Sequence, residues 1–383
     1  MQFRDLPKQY EVLKSQIDAK MLSVAASAHF ISGPEVKELE IAIAEYVGVK
    51  HCITCANGTD AITIAMRAWG VGKGDAVFVP DFTFFSSGEC PADEGATPIY
   101  VDVDSGTYNI DPVKLEEAIQ KVVAEGKYNA KAVVAVDLFG LPADYPAIKE
   151  ICKKYNLLLL EDGAQGFGGS IDGKMACSFG DISTTSFFPA KPLGCYGDGG
   201  AIFTDNDEWA DLIRSICVHG KDTSNPNDPN AKYYNIRIGK NSRLDTIQAA
   251  ILLPKFKAFV DYELSDVNKV ADWYTEGLKD TGLVLPEVIE GYYSSWAQYT
   301  VQLPADVDRK EVQTKLKAVG IPSMVYYAKP MHLQGAFKGT DSANADCPVT
   351  EKLCATVLSL PLDPYKSKED VNLVVSELKK AIR

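Results

Sequence analysis

Between about residue 50 and residue 205, short apolar runs alternate with longer amphipathic stretches, and this alternation constrains the fold more than any other feature. The runs are "HCITCA", "AVFVP", "TPIYVDVD", "KAVVAVDLFG", "NLLLLEDGA", "ISTTSFF" and "GGAIFT". Most are apolar throughout rather than at every second position, which is the pattern of strands buried on both faces. Such strands with helices between several of them predict a mostly parallel sheet in an α/β layered domain. Beyond it, "NSRLDTIQAAILLPKFKAFVDYELSDVNKVADWYTEGLKD" predicts a long helical segment interrupted near Pro254. The remainder alternates again through "WAQYTVQL", the helix "DRKEVQTKLKAVG", "IPSMVYY" and a final helix "SKEDVNLVVSELKKAI". The predicted organisation is a large domain over 1–255 and a smaller C-terminal α/β domain over 256–383. The first 25 or so residues are expected to pack with the smaller unit. The polar segment 221–235, "KDTSNPNDPNAKYYN", is long enough to cover a site.

Bulk properties exclude several functions. The net charge of -13 and the absence of a basic stretch argue against nucleic acid as a partner. An anionic ligand requires a locally positive pocket. No apolar run approaches the roughly 20 residues of a membrane span, and "MQFRDLPKQYEVLK" has no apolar signal core, so a cytoplasmic protein is expected. The nine cysteines are odd in number and sit mostly in apolar contexts, as reduced buried residues do. "CITC" has CxxC spacing without a second pair and reads as a strand, with Cys52 and Thr54 on one face and Ile53 and Cys55 on the other. With four histidines and no HExxH, no metal is expected. GxxxxGK[ST] is absent, and "GCYGDGGAIFT" feeds a strand rather than a helix, so neither nucleotide loop is present.

Three places at apparent strand ends carry candidate chemistry, because open parallel sheets bind ligands there. Asn57-Gly58-Thr59-Asp60 ends a strand and opens a helix whose inner face would use Ala61, Ile64, Ala65 and Ala68. It is either an ordinary helix cap or an anion cup of free backbone N–H groups. In "LLLLEDGAQGFGG", Glu161 and Asp162 end a buried run, either solvated or meeting a cation or donor; Gln165 follows three residues after Asp162. In "SFFPAKPLGCYGDGGAIFT", Lys191 stands in a Pro-Ala-Lys-Pro turn, either exposed or as an amine whose pKa a dry pocket lowers. A phosphate cup, a strand-end aspartate and a later reactive lysine together are the parts that pyridoxal 5′-phosphate requires, with "PDFTFFSS" supplying Phe82, Phe84 and Phe85 to cover a ring.

With these motifs, and with "ISGPEVKELE", "CANGTDA", "NSRLDTIQAAILLPK" and "SLPLDPY", the chain resembles the DegT/StrS-type nucleotide-sugar aminotransferases of the aspartate aminotransferase superfamily over nearly its whole length. The subgroup it most resembles aminates C3 of a UDP-2-acetamido-2-deoxy-3-keto-uronic acid, in surface-polysaccharide (O-antigen) sugar biosynthesis. The resemblance implies pyridoxal 5′-phosphate as cofactor, passing through pyridoxamine 5′-phosphate, with L-glutamate as donor. It implies Lys191 as the Schiff-base lysine, Asp162 on the pyridine nitrogen and Gln165 on the phenolic oxygen. Gly58, Thr59 and Ser186 would hold the phosphate and Phe84 would stack on the ring. Asn241 would reach the phosphate of a neighbouring subunit's cofactor, making a homodimer with shared sites, and Arg243 would approach the anionic part of the substrate. Tyr326 and Tyr327 fall near the sugar, where many relatives have His-Tyr; no role is assigned to His332. Related dehydratases carry histidine in place of the lysine, so Lys191 favours transamination. The alternatives are another keto-sugar, a sugar dehydratase, and a non-catalytic regulator.

Overall fold

The computed structural model describes residues 1–222 and 234–383. Seven strands form the main sheet: β1 (His51–Cys55), β2 (Asp75–Pro80), β3 (Thr97–Val101), β4 (Asn129–Val136), β5 (Leu158–Asp162), β8 (Ile182–Ser186) and β9 (Gly200–Thr204). Between β5 and β8 lie the two-residue strands β6 (Ser170–Ile171) and β7 (Lys174–Met175), which join β10 (Tyr292–Tyr293) in a small separate sheet. The main order is β1-β9-β8-β5-β4-β2-β3. β2, β3, β4, β5 and β8 pair in parallel, whereas β9 is antiparallel to both of its neighbours. All seven sequence-predicted runs are therefore strands of one mostly parallel sheet.

The sheet is apolar on both faces because helices cover both. On one side Ile53, Cys55, Val77, Val79, Val134 and Leu160 pack with Ala61, Ile64 and Ala65 of the helix Gly58–Ala68. On the other side Ala76, Phe78, Val133 and Leu159 pack with Leu115, Ile119 and Ile148 of two further helices. Cys52 and Cys55 fall in different clusters, as alternation along one strand requires, and all nine cysteines are free and buried.

A second core draws on Val267, Tyr274, Tyr299, Leu316, Leu358 and Val374, around a two-stranded antiparallel sheet of β11 (Tyr299–Gln302) and β12 (Val357–Leu360). β12 was not anticipated: "ATVLSLP" follows a helix directly and reads as its continuation. "IPSMVYY" forms no strand beyond a single bridge between Met324 and Ser359. The expected break at Pro254 is also corrected. The helix Thr246–Ala258 runs through Pro254, and the irregularity is a π-turn at Phe259–Glu263 before the helix Leu264–Leu278. Pro254 is buried, and packing compensates for the one donor it lacks. The N-terminal helix Leu6–Ser27 sets Leu13 and Ile17 against Ile251 and Ala258, while the Phe3 carbonyl accepts from the Leu362 N–H at 3.0 Å. Met331, Phe337, Leu353 and Cys354 join the core of the main sheet. Of the expected loop at 221–235, residues 223–233 lie outside the described residues. Among the described residues no helix is long and apolar enough to cross a membrane.

Glu161 explains how an acid can end a buried strand. Its side chain is fully buried and accepts from the N–H of Phe179 at 2.6 Å, of Gly180 at 3.2 Å and of Cys177, and from Ser183 Oγ at 2.7 Å. Burial pushes its pKa up, and these donors pull it back. Replacing it with Ala would leave the N–H groups of Cys177 and Phe179 and the Ser183 hydroxyl without their acceptor, while the Gly180 N–H keeps Ser183 Oγ at 3.2 Å, at about 1–3 kcal/mol for an unsatisfied group. Glu161→Ala is expected to lose about 3 kcal/mol or more of unfolding free energy in urea titration. A loss below about 1 kcal/mol would show that the 177–180 turn is held by something else.

Candidate active site

The carboxyl ends of β1, β2, β4, β5 and β8 converge on one cavity of about 430 Å³. Its lining includes Gly58, Thr59, Phe84, Asp162, Gln165, Ser186, Lys191, Tyr326 and Tyr327. The three stretches singled out in the sequence, each after a different strand, thus meet in space.

At the end of β1, the Asn57 side chain accepts from the Asp60 N–H at 2.7 Å and caps the helix Gly58–Ala68. The N–H groups of Gly58 and Thr59 come before the first that the helix can satisfy internally, and both residues line the cavity. The segment is a capped helix start whose free N–H groups front the cavity, a geometry that an anion can use. A Cβ added at Gly58 would stand 2.8 Å from Ser186 Cβ, so only glycine lets the β1 and β8 ends approach closely enough to form the cup.

At the end of β5, Asp162 faces the cavity. Its Oδ2 accepts from Ser87 Oγ at 2.8 Å and its Oδ1 from the Ala164 N–H at 3.2 Å. Ser87 in turn lies 3.1 Å from Thr83 Oγ1. Burial raises the Asp162 pKa; Ser87, the charge of Lys191 and the Ala164 N–H lower it. Gln165 is fixed at both ends, with Oε1 accepting from the Phe139 N–H at 2.8 Å and Nε2 donating to Tyr327 Oη at 3.2 Å. The second Nε2 proton remains available to a ligand oxygen.

Beyond β8 the chain folds back on itself. Lys191 N–H donates to the Phe188 carbonyl at 2.9 Å, and Cys195 N–H to the Phe187 carbonyl at 2.8 Å. A Cβ at Gly194 would lie 2.5 Å from the Pro189 carbonyl oxygen, so this closure also requires glycine. Arg4 Nη2 donates to the Pro192 carbonyl at 3.3 Å and ties the turn to the N-terminal arm. Desolvation lowers the Lys191 pKa, Asp162 partly restores it, and Arg4 lowers it further. The lysine is not the exposed turn residue its flanking prolines allow.

Phe84 is half exposed, its ring centroid 6.3 Å from that of Tyr327. Tyr326 is partly buried and T-shaped against Phe3 at 6.4 Å. Two sequence candidates lie outside the cavity. Asn241 is exposed, its Oδ1 accepting from Arg243 Nη2 at 2.5 Å, and Arg243 lines a different concavity with Arg214, Lys37 and Lys50. His332 is also elsewhere. Its ring lies 2.6 Å from Asp81 Oδ2 and its backbone N–H donates to Asp81 Oδ1 at 2.7 Å, a buried clamp between the segments that carry Phe84 and Tyr327. Cys347 stands beside this pair, the three potential ligand atoms lying within 4.8 Å of one another.

Sequence reasoning missed Ser87, Thr83 and Gln298. "PDFTFFSS" held the signal for the first two, as hydroxyls directly after a strand end, although its aromatics drew attention instead. Gln298 was visible only as a lone amide before an apolar run.

Asp162 can hold a protonated ring nitrogen, the cup a phosphate and Lys191 a carbonyl carbon, so the residues present fit pyridoxal 5′-phosphate. Residues 11–379 match the DegT/DnrJ/EryC1/StrS aminotransferase family. The chain is 44% identical over 378 residues, 99% of each chain, to the UDP-2-acetamido-2-deoxy-3-oxo-D-glucuronate aminotransferase of Pseudomonas aeruginosa. It is 42% identical over 377 residues to a pleiotropic regulatory protein of Geobacillus stearothermophilus, covering 98% of this chain and 96% of that one. Its fold matches a crystal structure of NtdA from Bacillus subtilis with bound cofactor PMP at a TM-score of 0.86 and 31% identity, over 96% of this chain and 81% of that one. The chain belongs to the DegT/DnrJ/EryC1/StrS family of pyridoxal-phosphate-dependent sugar aminotransferases.

Proposed function

We propose that the protein moves the amino group of L-glutamate to the C3 ketone of a UDP-linked 2-acetamido-2-deoxy-3-keto-uronic acid, as a cytoplasmic step in building a surface-polysaccharide sugar such as that of an O-antigen. For the chemistry, the observation that carries this is the convergence of Lys191, Asp162 and the Gly58–Thr59 cup on one cavity. For the substrate it is the likeness, over nearly the full length of both chains, to an aminotransferase named for that 3-oxo sugar. The 42% likeness to a protein named as a regulator favours a second reading, a binder without turnover. The partly buried Lys191, whose pKa desolvation lowers, opposes it, because binding alone needs no reactive amine.

In the role assigned here, the N–H groups of Gly58 and Thr59 with Ser186 would hold the phosphate, and Phe84 would cover the ring. Gln165 donates to the phenolic oxygen, and Asp162 keeps the ring nitrogen protonated. When bound, the cofactor supplies an electron sink for the carbanion formed at the amino acid's α-carbon. Lys191 moves the proton. Burial lowers its pKa and so favours the neutral amine, which can take the α-proton as a base and later return one as an acid. The same residue, with its direction reversed, serves the sugar half. Tyr326 and Tyr327 offer hydroxyls at the sugar end of the cavity.

Asn241 and Arg243 are assigned to the site of a second copy of the chain. The exposure of Asn241 and the separation of both from their own chain's cavity support this, and the active unit is then a homodimer.

Three outcomes are expected. In a panel of UDP- and dTDP-linked keto-sugars with L-glutamate, mass spectrometry is expected to find the 3-amino uronate and released 2-oxoglutarate. Amination of only a neutral 4-keto-6-deoxy sugar would reject the substrate; no 2-oxoglutarate at all would favour the binder. Asp162→Asn is expected to retain cofactor but slow turnover at least ~100-fold, about 2.7 kcal/mol in the barrier, because a neutral ring is a poorer electron sink; steady-state rates near wild type would remove Asp162 from this role. Mixing inactive Lys191→Ala subunits with inactive Asn241→Ala subunits is expected to recover part of the activity, since a heterodimer carries one intact site. No recovery in verified heterodimers would count against sharing.

A further inference from the structure

One polar group in the cavity has no part in the machinery above. Gln298 lines the cavity together with Asp162, Gln165, Lys191 and Tyr327, and its Oε1 is buried without a hydrogen-bond partner. The other unpartnered buried side-chain atoms among the described residues are on Arg4, Trp69, Tyr100 and Asp137, none of which lines this cavity. An amide oxygen removed from water and left unpaired is unfavourable unless a ligand supplies the missing donor.

The backbone around Gln298 is fixed to the segments beside the cofactor site. Its N–H donates to the Phe139 carbonyl at 3.3 Å, and the Ser295 N–H to the Gly140 carbonyl at 2.9 Å. Ser295 Oγ donates to the Gln165 carbonyl at 2.7 Å, and Trp296 Nε1 to Asn268 Oδ1 at 2.9 Å. β11 begins at the next residue. The amide therefore projects from a rigid element, as a group that selects among ligands must.

The chemistry of the reactants identifies the donor. The phosphate and both glutamate carboxylates present only acceptors at neutral pH. The protonated ring nitrogen belongs to Asp162, and the nitrogen taken from glutamate is held covalently on the cofactor until it joins the C3 ketone. A 2-acetamido-3-keto sugar differs: it carries an N–H on C2 and a hydroxyl on C4, on either side of the reacting carbon. We propose that Gln298 is a specificity-determining residue whose side-chain carbonyl accepts a hydrogen bond from a donor adjacent to C3 of the keto-sugar, and that it acts in the sugar half of the reaction and not in the glutamate half. This rests on the keto-sugar reading above. A site built around such a bond rejects a substrate lacking the donor more strongly than a hydrophobic pocket rejects a missing methylene, because the acceptor stays unpaired.

The test separates the two halves in the holoenzyme. Gln298→Met keeps the length of the side chain and removes the amide. Release of 2-oxoglutarate from L-glutamate in a single turnover is expected within about twofold of wild type, while kcat/KM for the keto-sugar falls about 10- to 100-fold. Sugars lacking either the C2 N–H or the C4 hydroxyl then locate the bond. Wild type is expected to lose a similar factor on one of them, and the Met variant to lose nothing further on that one. Equal losses in both halves would assign Gln298 to the cofactor and overturn the proposal, as would additive losses on both analogues. If wild type aminates a different keto-sugar, only the uronate assignment fails. The same comparison of halves, made on the sugar that does react, then decides the role of Gln298.

Discussion

The site depends on one property of a β-strand: consecutive side chains point to opposite faces. At the end of β5 this places two acids, one residue apart, in different environments. Glu161 turns into the protein, where backbone donors from the 177–180 turn and Ser183 satisfy it. Asp162 turns to the cavity, where Ser87 and the Ala164 N–H leave it capacity to accept more. The structural anchor and the chemical group thus share one strand end. Because Glu161 fixes the turn that leads into β8, it also positions the strand from which Lys191 follows.

The same economy governs the lysine. Burial alone would favour a neutral amine, and Asp162 alone would favour an ammonium. Their opposition in one cavity would suit the alternation between base and acid proposed for Lys191. Arg4 adds a second cation and anchors the turn through Pro192, so the first residues of the chain bear on its centre. Gly58 and Gly194 complete the arrangement by allowing backbone contacts that a Cβ would prevent.

Much of this was legible in the sequence because it rests on local regularities. Seven buried strands announce themselves as apolar runs; Asp162 is the last residue of one, and Gly58 and Lys191 follow the ends of two others within a few residues. What was not legible depended on context. β12 has no turn before it to mark its start, and Pro254 is accommodated by packing rather than by a break. Ser87 matters only because the helix Ser86–Asp93 starts where Asp162 arrives from a strand 75 residues away. Gln298 is brought to the cavity by bonds to Phe139, a contact between distant segments that no periodicity encodes.

Electrostatics takes the argument past a single chain. Among the described residues that line the cavity, Lys191 is the one cation, against Asp162 and Asp198. The proposed ligands bring a phosphate, a diphosphate and a carboxylate, into a protein whose net charge is already -13. A helix N-terminus contributes about half a positive charge, too little to balance them. The missing cations lie nearby in sequence but on another surface. Arg243, Arg214, Lys37 and Lys50 line a concavity, where Glu40 pairs with Arg214 at 3.3 Å and Asp207 pairs with Lys50. A guanidinium there can grip a carboxylate or phosphate through two parallel hydrogen bonds, which an ammonium cannot. A second copy that presents this surface to the cavity would supply the charge that one chain lacks. On this argument the proposed homodimer would answer a requirement of the substrate's charge.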